Sequence, residues 1–216
     1  MLKTFAALLG LGLQVFAQSK PPHTLQIYRE KLRPGSEAAY REIENQIAND
    51  CISLGFPHAY IGIESLTGTK EIWFLNGWES EDEQTRVKDE YSKNTALTKA
   101  LDLNVKRKAS LILEHAEVVA DYRRHVGRGA PWSMGTGRFL VITMTKGNAR
   151  IDGTEFEAAD GTKFILTAAR TRNEADVKAA AAGSETRVFA IRPYWSKVDW
   201  NWVTADRDFW NTNPPY

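Results

Sequence analysis

Four histidines, His23, His58, His115 and His125, are the side chains of this sequence whose ordinary titration lies nearest neutrality, so each is a candidate acid–base group or metal ligand. No two of them stand at the spacing that places two ligands on one helical turn, and no Cys pair accompanies them. A lone histidine of this kind is more often a satisfied core or surface residue than a ligand. His58 follows Phe56-Pro57 at the start of a strand-like run, where it can point into a pocket; His115 follows Glu114. A pocket is the stronger expectation, since small-molecule sites are mostly apolar with a few convergent polar groups. Tyr28, Tyr60, Trp73 and Trp78 supply apolar walls, Asn76 and His58 hydrogen bonds, and Arg123 a partner for an anion. Set against this, large aromatics fill core volume wherever a core needs it. Asn76-Gly77 interrupts a run otherwise built for burial, and an internal glycine lets something come close to the backbone.

Other chemistries find no support. The chain has no Gly-x-Ser-x-Gly elbow, no phosphate-cradling Walker loop, no His-Glu-x-x-His and no Cys-x-x-Cys. "GTGRFL" at Gly135 precedes a strand instead of opening a helix, so it is not a dinucleotide fingerprint. No cofactor and no metal is expected from these motifs. Cys51 is the one cysteine and falls on an apolar helical stripe, where a buried, inert thiol is expected.

The elements that must position these residues come in a strand, helix, strand, strand, helix, strand order. "HTLQIYREKL" (His23 to Leu32) is apolar or aromatic on both faces, as a strand covered on both sides is. Pro34-Gly35 turns the chain into a helix from Ser36 to Ser53, with Tyr40, Ile43, Ile47 and Cys51 inward and Gly55 at its end. "HAYIGIESLTGTKEIWFLNGW" reads as a hairpin turning at Thr67-Gly68. Ser80 and Glu83 form a capping box that starts a second helix, broken near Asn94 or Asp102, with Val87, Tyr91, Leu97 and Leu101 inward. Helix is expected to continue through Lys106 to His115, and Glu117 to Arg124 to be the closing strand.

"LTGTKEIWFLNGWESEDE" (Leu66 to Glu83) has a shorter echo in "ADGTKFILTAARTRNEAD" (Ala159 to Asp176). Around the echo the order recurs: strand at Gly137 to Lys146, hairpin turning at Asp160-Gly161, capping box at Thr171 and Glu174, short helix to Gly183, closing strand "TRVFAIRPYW". Arg192 then falls where Arg123 falls. Between Met144 and Thr154 the sequence is too short and too rich in turn formers for the first helix, so the second copy lacks it. The expected fold class is α+β: two tandem ferredoxin-like repeats, the second without its first helix. The organisation is a leader at 1–17, a complete repeat at 18–127, a linker at 128–136, a degenerate repeat at 137–196 and an aromatic tail at 197–216.

"LQIYREKLRPGSEAAYREIENQI" resembles the first strand, Pro-Gly turn and first helix of the dimeric α/β-barrel superfamily, the ferredoxin-like group holding NIPSNAP, EthD and antibiotic-biosynthesis-monooxygenase-like proteins. "VFAIRPYWSKVDWNWVTADRDFW" resembles the tail of its exported tandem members. The resemblance implies two half-barrel sheets pressed together within one polypeptide. It brings no particular reaction with it, because the superfamily hosts monooxygenases, haem enzymes, isomerases and members without known activity.

Three functions follow as expectations. The leading one is an exported small-molecule-binding or enzymatic protein with its pocket in the first repeat, its ligand small and apolar or aromatic. The second is a non-catalytic interaction or assembly module, with homodimerisation as one form. The third is sugar binding through the tail, where Trp195, Trp200, Trp202, Phe209, Trp210 and Tyr216 crowd together. Covering an apolar face of the second sheet is the more economical use of those rings. With 28 basic and 27 acidic residues the chain has no charge excess to hold nucleic acid or an anionic membrane, and the basic run Lys106-Arg107-Lys108 reads as a solvated face.

"MLKTFAALLGLGLQVFAQSK" carries the marks of a secretory leader: Lys3, an apolar run from Phe5 to Phe16, and small residues before Gln18. The run is shorter than a membrane span, and no other stretch spans, so a periplasmic or extracellular address is expected. Mass spectrometry of the protein from its own host should find Gln18 at the N-terminus; a mature form that retains Met1 to Ala17 refutes export by this route.

Overall fold

Side chains on a strand alternate between two faces, and here both faces of the first three strands are buried for different reasons. The computed structural model describes residues 20–128, 131–147, 150–183 and 185–210; the leader lies outside them. The elements are β1 (Thr24–Leu32), α1 (Glu37–Ser53), β2 (Tyr60–Ser65), β3 (Glu71–Trp78), α2 (Glu81–Lys93), α3 (Thr95–Ala109), β4 (Ile112–Val126), a 3-10 turn (Ser133–Thr136), β5 (Phe139–Thr145), β6 (Gly153–Ala158), β7 (Lys163–Ala169), α4 (Arg172–Ala182), β8 (Thr186–Lys197), α5 (Trp200–Ala205) and α6 (Arg207–Trp210).

The strands close into a barrel in the order β1-β3-β2-β8-β5-β7-β6-β4, with antiparallel neighbours throughout. The first four strands lie as β4-β1-β3-β2 and the last four as β8-β5-β7-β6, so the two halves meet at β2–β8 and β4–β6. Each seam carries an arginine of a closing strand on a glutamate of the other half: Arg192 to Glu64 at 2.5 Å, and Arg123 to Glu157 at 3.3 Å.

One face of every strand points into the barrel, where Ile27, Trp73, Leu140, Phe156, Phe164 and Phe189 pack together. Each end of that interior is closed by a different device. At the hairpin end, Glu71 accepts from Trp73 Nε1 at 2.7 Å and from Arg29 Nη2 at 2.9 Å, with Arg187 Nη1 3.1 Å away. Burial alone raises a carboxyl pKa; here those donors outweigh it and hold Glu71 below the usual range. The opposite end is closed by the 3-10 turn and the tail. Trp210 donates from Nε1 to the Gly135 carbonyl at 2.9 Å, and Trp202 lies so close to Gly135 that a Cβ there would stand 2.8 Å from its ring.

The outer face of the first half is covered by α1, α2 and α3. Ser80 and Asn94 accept from the backbone N–H of Glu83 and Leu97, so Asn94 both ends α2 and starts α3. α1 packs on α3 and also reaches across the seam onto β8. In the second half α4 lies on the sheet, through Ala175 on Val141 and Val188. Among the described residues no helix joins β5 to β6.

Two expectations are corrected. Helix stops at Ala109, and Ile112 to His115 belong to β4, because Leu32 and Glu30 of β1 pair with them. The tail does cover apolar surface, but it closes the barrel mouth and leaves the second sheet's outer face to itself. Phe164 and Leu166 face inward, and a bulge at Tyr122/Arg124 sets Arg123 and Arg124 on Glu157 and Glu155 of the outer surface. Along the β4–β6 seam that face carries ion pairs, and Glu155 within them is buried. Trp200 is 67% exposed, against 8% for Trp210.

Trp210→Ala should therefore destabilise by about 3–5 kcal/mol, the usual loss for a buried tryptophan, whereas Trp200→Ala should leave the denaturation midpoint within experimental scatter. Equal effects of the two substitutions in a denaturant titration would refute the plug.

Candidate functional site

Between α1, α3 and the outer face of β1, β3 and β2 the helices stand off the sheet and leave a cleft of about 670 Å³. Its walls are apolar: Ile47, Phe56, Tyr60, Phe74, Leu101 and Ile112 among others. Strand alternation explains the supply, since Tyr28 and Glu30 on β1, Phe74 and Asn76 on β3, and Tyr60 on β2 all lie on the face opposite the barrel interior. At the mouth, Val105 and Leu113 are 53% and 45% exposed.

The inner wall carries charge. Lys108 Nζ, at the end of α3, lies 2.9 Å from Glu30 Oε1 and 2.8 Å from Glu44 Oε1. Tyr40 donates its hydroxyl to Glu30 Oε2 at 2.5 Å. All three charged side chains are buried or nearly so. Burial, with the charge of Glu30 beside it, raises the Glu44 carboxyl pKa although Lys108 opposes the rise. For Lys108 burial favours the neutral amine, but Glu44 and Glu30 together overcome it and raise its pKa. Tyr40 is driven up by burial and by the same two carboxylates. Breaking a buried ion pair of this sort costs roughly 3–5 kcal/mol, so the cluster is held by the fold and is not free to disperse.

His115 stands at the outer end of this cluster. It is the Cα partner of Glu30 across the β1–β4 ladder. Its Nδ1 is 3.6 Å from Glu30 Oε1, its side chain is half exposed, and its ring stacks with Tyr28 at 6.1 Å and 29°.

Of the residues expected at the site, Tyr28, Tyr60 and Asn76 line the cleft. The others do not meet them there. Trp73 lies on the opposite face of β3, wholly inside the barrel. His58 and Trp78 stack on each other at 3.7 Å, and Trp78 Nε1 donates to Gln26. Arg123 is on the seam with Glu157 and is no anion site of this cleft. The close approach at Gly77 is made by Pro22, 2.8 Å from where a Cβ would be. Cys51 lines the cleft as a thiol pushed up to about 11 by burial, which keeps it protonated. Among the described residues no group of three or more His, Cys, Asp or Glu can hold a metal ion.

The charged cluster escaped the sequence reading. Lys108 was assigned with Lys106 and Arg107 to a solvated face, yet its side chain is only 12% exposed. The available signal was Glu44, a carboxylate on the inward stripe of α1 beside Tyr40 and Ile47, which requires a buried cation somewhere.

No protein-family model matches the sequence, and no curated protein matches it. Solved structures do. A Fusobacterium nucleatum protein provisionally named as a monooxygenase superposes with a TM-score of 0.53 at 7% identity, over 80% of this chain and 94% of its own. A Lactobacillus acidophilus protein of the same provisional name gives 0.47 at 6%, over 80% and 94%. A NIPSNAP family protein of Agrobacterium tumefaciens gives 0.36 at 15%, over 47% and 87%. The first of these likenesses shows that the fold, a closed eight-stranded barrel carrying helices on its outside, is shared with that protein.

Burial lowers the His58 pKa to about 4 from an ordinary 6.5, so the unfolded chain takes up a proton that the folded chain refuses. Stability should fall as pH drops from 6.5 towards 4 and then level, by up to about 3 kcal/mol from this group. His58→Phe, which keeps a ring on Trp78, should flatten that limb in melts across this window; an unchanged limb refutes the assignment.

Proposed function

We propose that this is an exported protein that binds a small apolar or aromatic molecule in the cleft between α1, α3 and the outer face of the first half-sheet. The observation that carries the reading is an apolar cavity of about 670 Å³ with a buried carboxylate–ammonium cluster on one wall. A core built only for packing excludes charge, because buried charges must be paired and their pairing stabilises little. Here the charges are concentrated where a ligand would meet them.

The export reading rests on Met1 to Ala17. The tandem reading is supported by the same strand order in the two halves and by the matching seam pairs, Arg123 with Glu157 and Arg192 with Glu64. In that reading 18–127 and 137–196 are two copies, and one chain supplies both half-barrels. Assembly through a sheet edge is less favoured, since each of the eight strands has a neighbour on both sides. Sugar stacking on the tail is also less favoured, because Trp202 and Trp210 are spent on the barrel mouth. The name borne by the Fusobacterium neighbour makes oxygenation a reaction to try, with Tyr28, Tyr60 and Asn76 as the groups that would orient a substrate.

Titration with the neutral dye Nile red tests the cleft. Ala109 lines it, so Ala109→Trp should abolish the fluorescence gain while the melting temperature holds. Dye binding that survives this substitution, or no binding to the parent protein, refutes the reading.

A further inference from the structure

We infer that His115, backed by Glu30, is the proton acceptor of this cleft, and that the ligand is a small aromatic molecule carrying a weakly acidic hydroxyl, a phenol or an enol. The inference rests on the cleft being a ligand site. It starts from charge. Glu30 on β1 and Glu44 on α1 face a single ammonium, Lys108 on α3, so the wall repels a ligand that arrives as an anion. A neutral ligand that can give up a proton is complementary to it.

Glu30 itself is in no position to take that proton. Its Oε2 accepts from Tyr40 and its Oε1 faces Lys108, and the residue is 4% exposed. What these contacts do is fix the carboxylate beside Nδ1 of His115. At 3.6 Å the carboxylate is beyond hydrogen-bond reach of Nδ1, but it faces the positive charge that forms when the ring takes up a proton. Nε2, the ring nitrogen that does not face Glu30, is the acceptor of this proposal, on a ring that is half exposed at the cleft and stacked with Tyr28. The other acidic groups near this part of the ladder are already engaged, Glu117 by Gln26 and Glu114 by Lys31.

The step balances without any further reagent. The ligand O–H bond breaks, an Nε2–H bond forms, and the oxyanion stays as an ion pair with the imidazolium; nothing is oxidised or reduced. Tyr28 offers a ring for stacking, and Phe56, Tyr60 and Phe74 give the rest of the aromatic ligand an apolar wall.

The test uses 4-nitrophenol and 4-nitroanisole, which share a ring and differ in the hydroxyl proton. Near neutral pH, where an imidazole can still accept a proton, the intact protein should bind nitrophenol about tenfold more tightly than the anisole, the ratio one good hydrogen bond supplies, and should show a yellow phenolate band beyond that of the free compound at the same pH. His115→Gln keeps a polar side chain at an exposed position, so it should fold with an unchanged melting temperature. It should bind both compounds equally and add no phenolate band to that of the free compound. Glu30→Gln should lose the band as well, and Glu30→Asp regain part of it. Equal binding of the two compounds to the parent protein, or a band that survives in His115→Gln, overturns the inference and leaves the cleft reading standing. Failure of both compounds to bind overturns the two together.

Discussion

Closure of the sheet is the constraint from which the rest follows. Eight strands that return to their starting point leave no edge to be covered, and they create one interior that must be filled and stoppered at both ends. The two stoppers are made from opposite materials. Glu71 with Arg29, Arg187 and Trp73 closes the hairpin end with charge and hydrogen bonds, and Trp202, Phe209 and Trp210 close the other with rings. The interior is filled with aromatic and aliphatic side chains, and the outer face of the first half-sheet is left to pack against helices. The large apolar cleft is found there.

The cleft depends on an imperfect fit between α1, α3 and the sheet. The outer face of β1, β3 and β2 offers rings, Tyr28, Phe74 and Tyr60, which hold the helices away, and the carboxylates of Glu30 and Glu44 then need a cation from the third side. Lys108 arrives at the end of α3, just before the chain turns into β4 and sets His115 opposite Glu30. The residues that hold the helix down and the residues that give the cleft its polarity are the same. Its chemistry and its stability are therefore coupled.

Local rules carried the sequence reading a long way. The turns at Gly68 and Gly161 adopt positive φ, and the helix starts at Ser80 and Thr171 carry the expected side-chain caps, because each depends on residues within a few positions of one another. The break at Asn94 was legible for the same reason. The site was only half legible. Tyr28, Tyr60 and Asn76 follow from strand alternation once a covered outer face is assumed. Trp73 sits between Ile72 and Phe74, and its face could not be assigned in a strand that is apolar on both sides. The partners of Lys108 come from a strand and a helix distant in the chain, and a basic run read by itself gives no hint of them. The placement of the tail failed for a related reason: an aromatic cluster states that it will be buried, without stating against what.

The second half shows what the cleft requires by lacking it. Among the described residues no helix lies between β5 and β6, and where β6 meets β4 and β7 the outer surface carries ion pairs, Arg123 on Glu157 and Arg124 with Lys163 on Glu155. The pair of Arg123 with Glu157 is partly exposed and contributes little stability, whereas Glu155 is buried and needs its partners Arg124 and Lys163. The barrel does not depend on such a helix, since β5 to β8 supply half of its wall and interior. Glu44 stands on α1, so nothing at that place in the second half plays its part. The second half nonetheless bears on the cleft of the first, because β8 gives α1 part of the surface on which it rests.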